Sequence, residues 1–118
     1  MRFSHIGLGV RDIRQTMDVF RETLGVKWGP LEEFETVLRD SDGLSDRSRA
    51  RIVHGLTGDG LDIELSQCLE GETPDTLLLG SREGVSHIAF EVDDLAAERA
   101  RLLARGFRIG RASCRERV

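Results

Sequence analysis

The sequence predicts an α+β fold built from two copies of a βαβββ unit, the second incomplete. Three observations carry this. First, His5-Ile6-Gly7-Leu8-Gly9-Val10-Arg11-Asp12-Ile13 recurs as His87-Ile88-Ala89-Phe90-Glu91-Val92-Asp93-Asp94-Leu95, with His, Ile, Val, Asp and a closing aliphatic residue in step. Second, each copy passes from two-residue alternation to a helical pattern closed by a glycine, Gly25 or Gly106. Third, the first copy is followed by two further strand patterns joined by Thr57-Gly58-Asp59-Gly60, a strong turn signal.

Each element has a local reason. In residues 3–10, Ile6, Leu8 and Val10 face one way and His5, Gly7 and Gly9 the other, which makes a strand with one apolar face. Asp12 opens a helix, and Gln15 completes a capping-box pattern. Ile13, Met17, Phe20 and Leu24 share one side of it, and Gly25 ends it. Residues 26–38 read as a strand interrupted at Gly29-Pro30, and the polar stretch 40–48 as a hairpin loop. Residues 50–56 and 61–67 are strands. The first module thus covers 1–67. Residues 68–84 read as a linker holding Thr73-Pro74 and a short apolar patch, Leu77 to Leu79. The second module starts over 85–108, with a strand at 85–92, a helix from Asp94 to about Arg105, and a strand opening at Phe107. The two aliphatic faces are expected to lie under the two helices. Residues 109–118 are arginine-rich and lack an apolar period of two. They are expected to form no strand and to be a non-native tail, the natural chain running on.

The chain of 118 residues is one domain's worth, with 39% hydrophobic and 32% charged residues. No apolar run is long enough to cross a bilayer, so no membrane partner is expected. The net charge of −4 and the lack of a basic stripe argue against nucleic acid. Cys68 and Cys114 lack metal-type spacing, which fits a reduced, cytoplasmic setting. An incomplete second module exposes a sheet edge and half a cavity, which invites self-association, and a homodimer is expected.

In the strand at 61–67, Asp62, Glu64 and Ser66 oppose Leu61, Ile63 and Leu65. In the strand at 85–92, His87 opposes Ile88, Phe90 and Val92. His5, Glu64 and His87 therefore project from one concave face, and the repeat sets a histidine at the same address twice. Imidazole and carboxylate suit a divalent first-row metal, with Co, Ni, Zn, Mn and Fe all open. Asp62 and Ser66 could line the same cavity. Glu91 stands about 13 Å along the strand from His87, too far for both to be ligands. His54 has no counterpart in the repeat and reads as structural or exposed, and Cys68 reads as structural.

These motifs resemble the vicinal oxygen chelate superfamily, over residues 1 to about 108. That resemblance implies two βαβββ modules curled around a cavity, with metal ligands on the first and last strands of each module. His5 then matches the first-strand ligand of module one, Glu64 its last-strand ligand, and His87 the first-strand ligand of module two. The segments Leu69-Glu70-Gly71-Glu72-Thr73-Pro74 and Gly84-Val85-Ser86-His87-Ile88-Ala89-Phe90 are most similar to methylmalonyl-CoA epimerase-like members. The resemblance implies a metal-dependent isomerase or epimerase that removes a proton next to a carbonyl of a thioester such as an acyl-CoA, or glyoxalase-like chemistry. A fourth ligand, a glutamate that in relatives often serves as base, would fall beyond residue 118, so the catalytic residue is unassigned. Two alternatives stand beside this. One is an extradiol dioxygenase, because two His and one Glu resemble a facial triad, although that branch takes its carboxylate from module two. The other is a metal-free binding protein of the bleomycin-resistance type, which generally lacks this ligand set.

Overall fold

The computed structural model describes residues 1–39, 45–110 and 112–117. Among them are seven strands and three helices: β1 (Arg2–Gly9), α1 (Ile13–Leu24), β2 (Lys27–Trp28), β3 (Glu32–Arg39), β4 (Ser45–Leu56), β5 (Asp62–Glu70), α2 (Pro74–Leu79), β6 (Gly84–Glu91), α3 (Leu95–Ala104) and β7 (Ala112–Arg117). They form one sheet in the order β6-β1-β5-β4-β3-β7, with β2 paired to β4. Only β1 and β5 run parallel, joined by the long connection that a parallel pair requires. The α+β class and the βαβββ order of the first repeat match the sequence expectation, and the second repeat is incomplete. No helix among the described residues is long and apolar enough to cross a membrane.

Both long helices start with the same device. The Asp12 side chain accepts from the Gln15 backbone N–H, and Asp94 accepts from Ala97 N–H. Gly25 closes α1 in the left-handed conformation at φ +66°, which a residue without Cβ adopts freely. The apolar side of α1 closes the core against three neighbouring strands. Ile13, Val26, Val53, Ile63 and Leu65 are buried there, with Ile6, Leu8, Met17, Phe20 and Trp28 packed around them. The Trp28 indole N–H donates to Met17 O at 2.9 Å, so its polar edge is satisfied within the core.

β1 and β6 pair antiparallel, with Ile6 opposite Ile88, His5 opposite Ala89 and Gly7 opposite His87. Ile6 and Ile88 are equivalent residues of the repeat. Their direct pairing puts a local two-fold axis between the repeats, and each histidine then lies across from the small residue of the other copy.

Five expectations are revised. The stretch 68–84 is more than a linker: β5 runs on to Glu70, and Thr73 caps α2 through a reciprocal box with Thr76, with Pro74 in the first turn. The second helix does not cover its strand's apolar face. No residue of α3 is buried, and Ile88 and Phe90 stay 59% and 49% exposed. The reason is topological: α1 packs across β1, β5 and β4, whereas β6 is an end strand with a neighbour on one side only. Residues 112–117, expected to form no strand, pair antiparallel with β3 from Phe34↔Arg117 to Arg39↔Ala112. An open strand edge accepts backbone hydrogen bonds without requiring apolar alternation. Of the expected loop at 40–48, residues 45–48 belong to β4, and the rest lie outside the described residues. The strand expected to open at Phe107 is not formed: residues 107–110 make no ladder, and the next strand begins at Ala112.

The core predicts a clear contrast. Leu65→Ala should lower the unfolding free energy by about 2–5 kcal/mol. Val19→Ser, at an exposed position of α1, should change it by no more than about 0.5 kcal/mol. Urea denaturation of the two variants beside the wild type measures both.

Candidate metal centre

Four consecutive strands contribute to one lateral row. β6 brings His87, β1 brings Gly7, β5 brings Glu64 and β4 brings His54, all in register. His5 stands two residues from Gly7 on the same face of β1. A Cβ on Gly7 would lie 2.0 Å from His87 Cε1 and 2.4 Å from its Nε2. The missing side chain at position 7 is therefore the seat of the His87 ring.

The three expected ligands converge. His5 Nε2 and His87 Nε2 are 3.2 Å apart. His5 Nε2 lies 3.6 Å from Glu64 Oε2, and His87 Nε2 lies 3.6 Å from Glu64 Oε1. One donor atom from each residue falls within 4.8 Å of the others. Metal–ligand bonds of about 2.0–2.1 Å set neighbouring donors roughly 3.0–3.4 Å apart, so the triangle has the right scale.

The donor chemistry fits a cation as well. Ser86 Oγ makes a short hydrogen bond to Asp75 Oδ1 and lies 2.9 Å from His87 Nδ1. A carboxylate only accepts, so the single hydroxyl proton of Ser86 goes to Asp75. Ser86 Oγ then accepts from His87 Nδ1–H, which leaves the lone pair on Nε2, aimed at the centre. Ser4 Oγ lies 2.9 Å from His5 Nδ1 and can fix the same tautomer. Two imidazole lone pairs facing each other at 3.2 Å beside a buried carboxylate repel unless a cation lies between them.

Electrostatics divide the histidines. Burial lowers the His5 pKa most; Glu64 opposes this, and His54 and His87 lower it further. His5 is thus a neutral donor. His54 goes the other way, raised to about 9, chiefly by its hydrogen bond to Glu64 and also by Asp62, against a smaller cost of burial. Its Nε2 is 3.0 Å from Glu64 Oε2 and its Nδ1 is 2.9 Å from Asp62 Oδ1.

His54 is the residue that sequence reading passed over as structural or exposed. It joins the centre because the β4–β5 hairpin places it opposite Glu64. Ser4 and Ser86 were also missed, although each directly precedes the repeated histidine and so extends the repeat by one residue. Asp75 had no signal at all: it reaches His87 only through the fold of α2. Asp62 contacts His54 and not the central triangle, while Ser66 is buried on the same face beside a cavity of about 290 Å³. Gly9, Asp75, Leu79 and Arg82 also line this cavity. Glu91 pairs with Arg2 at the strand end, away from the site.

Comparison with known proteins identifies the family and the fold. The sequence profile of the glyoxalase/bleomycin resistance protein/dioxygenase superfamily matches residues 4–116. The chain belongs to this superfamily. No curated protein matches its sequence. Among solved structures, methylmalonyl-CoA epimerase from Mycobacterium tuberculosis is similar with a TM-score of 0.67 at 23% identity, over 91% of this chain and 65% of that one. Two variants of Streptomyces coelicolor methylmalonyl-CoA epimerase, in complex with 2-nitronate-propionyl-CoA, are similar with a TM-score of 0.57 at 25% identity. That likeness covers 92% of this chain and 74% of theirs. The chain therefore spans 65% to 74% of the length of these solved structures.

Two outcomes follow for the site. In the metal-free protein, the folded pKa of His54 is about 9 against an ordinary value of 6.5. The proton therefore favours the fold: the contribution is full below pH 6.5 and is lost as pH rises through about 9. The melting temperature of wild type should fall over that window relative to His54→Gln, read by scanning calorimetry at several pH values. Separately, if the triangle holds a divalent ion, Gly7→Ala should displace the His87 ring and weaken that binding by at least about tenfold. Titration calorimetry measures it, and circular dichroism should report an unchanged fold.

Proposed function

We propose that His5, Glu64 and His87 hold a divalent metal ion, and that the protein acts next to a carbonyl group, on a thioester of the acyl-CoA type, as an epimerase or isomerase. The observation that carries this reading is the convergence of three donor atoms from the two repeats on a face seated by Gly7. Membership of the superfamily and likeness to methylmalonyl-CoA epimerases support it.

A bound divalent ion supplies Lewis-acid stabilisation of the negative charge that a carbonyl oxygen gains when its neighbouring carbon loses a proton. The protein's own groups prepare that role. Ser86 and Asp75 hold His87 with its Nε2 lone pair inward, and burial keeps His5 neutral. Glu64, 1% exposed, brings a carboxylate oxygen to a place from which water is excluded. The cavity lined by Ser66, Asp75 and Leu79 borders the residue that orients His87, although none of the three donors lines it. The uncovered face at Ile88 and Phe90 supports a homodimer.

The test is binding of 2-nitronate-propionyl-CoA, whose planar, anionic C2 resembles that of the deprotonated thioester. Metal-loaded protein should bind it at least about tenfold more tightly than free CoA, a difference of about 1.4 kcal/mol. The preference should vanish after chelation and in His5→Ala. Equal affinity for the two compounds in the metal-loaded protein would remove the thioester reading. Absence of any divalent metal binding, by metal analysis and calorimetry, would remove the metal centre itself.

A further inference from the structure

The fourth side chain of the row is not one of the converging donors, yet it touches one of them. We propose that Asp62 and His54 form a positioning pair that fixes the Glu64 carboxylate for metal binding. This rests on the metal-centre reading above and goes beyond it by assigning a role to residues outside the ligand set.

The geometry is a chain of three groups across one hairpin. Asp62 Oδ1 is 2.9 Å from His54 Nδ1, and His54 Nε2 is 3.0 Å from Glu64 Oε2. His54 donates through Nε2 to one carboxylate oxygen, and Asp62 accepts from Nδ1–H, which orients the ring. Glu64 is thereby held by one oxygen from the β4 side, and its other oxygen, Oε1, faces His87. A carboxylate with free χ angles could swing or offer both oxygens. One pinned from the side presents a defined donor.

The pair is built in, not incidental. His54 and Glu64 are opposite each other in the β4–β5 ladder, and Asp62 opens β5 two residues before Glu64, on the same face. Gly29 N–H donates to His54 O at 2.8 Å, which secures the backbone on the other side. The His54 ring also meets the His5 ring edge to face, with centroids 5.2 Å apart, so its plane is constrained from two directions. It borders open clefts lined by Gly29, Pro30 and Trp28, so the ring is not held merely by core packing.

Each of the three central donors thus has an orienting partner: Ser4 for His5, Ser86 with Asp75 for His87, and His54 with Asp62 for Glu64. The first two are part of the repeat or contact it. The third belongs to the first module alone.

Cobalt(II) titration of the folded protein tests this, read by calorimetry and by the visible d–d bands. His54→Ala should weaken cobalt affinity by about 10–100-fold at unchanged stoichiometry. His54→Gln, which keeps an N–H donor, should restore affinity to within about threefold of wild type, and Asp62→Asn should give an intermediate loss. A purely structural role would not produce rescue by Gln. Wild-type affinity in His54→Ala would overturn the positioning role. Loss beyond about 1,000-fold without rescue by Gln would also overturn it, making His54 a ligand. If wild type and His5→Ala alike bind no cobalt, the metal reading fails first, a result distinguishable from failure of the pair alone.

Discussion

The site depends on an atom that is absent. Gly7 stands in the middle of a row that runs His87, Gly7, Glu64, His54 across four adjacent strands. On a pleated sheet, residues in such a row are nearest neighbours on one face, about 5 Å apart. Four large side chains cannot all turn inward there. With no Cβ on Gly7, the His87 ring lies over β1 and reaches the space between His5 and Glu64. The local two-fold axis at Ile6 and Ile88 then brings the two repeated histidines together from opposite directions. Duplication alone would give two histidines; antiparallel pairing at this register makes them face each other.

Burying Glu64 at 1% exposure is costly unless its charge is met. Three imidazoles surround it, and they do not share the task evenly. His54, which gains a second carboxylate in Asp62, takes the proton and carries positive charge near neutral pH. His5, more affected by burial and by its histidine neighbours, stays neutral. One histidine thus compensates the carboxylate from the side, and another keeps a lone pair for the centre. Removing either carboxylate would upset both arrangements, because Glu64 and Asp62 act on the same ring. Buried ionic groups of this kind add more to specificity of arrangement than to net stability.

The fold and the central triangle were legible because they are written in periodicity. Alternation put His5 opposite Ile6, and Glu64 opposite Ile63 and Leu65. The repeat then carried the same address to His87. The role of His54 was not legible because it turns on one residue of loop length. A four-residue connection ending at Gly60 would pair His54 with Ile63. The actual turn includes Leu61: Thr57 N–H donates to Leu61 O at 3.0 Å, and Leu61 N–H donates to Thr57 Oγ1 at 2.9 Å. That single step moves His54 opposite Glu64. Because side chains alternate, a shift of one residue changes every cross-strand partner. The strand at Ala112–Arg117 was illegible for another reason: its pairing uses the open edge of β3, which any non-proline segment can meet.

The two repeats also differ in what holds their first strand. β1 lies inside the sheet, between β5 and β6, with α1 closing its apolar face. β6 lies at the sheet's end, and the helix that follows it buries nothing. The anchor for β6 comes instead from the segment before it. α2 sets Asp75 at 4% exposure against Ser86, and Leu79 against the open backbone at Gly9. Ser86 Oγ donates to Asp75 and accepts from His87, so one hydroxyl ties α2 to β6 beside the His87 ring. Thr73, 2% exposed, caps the helix that carries Asp75 and so fixes where that carboxylate points. Symmetry brings His87 to the centre, but a short helix outside the repeat decides which of its nitrogens faces inward.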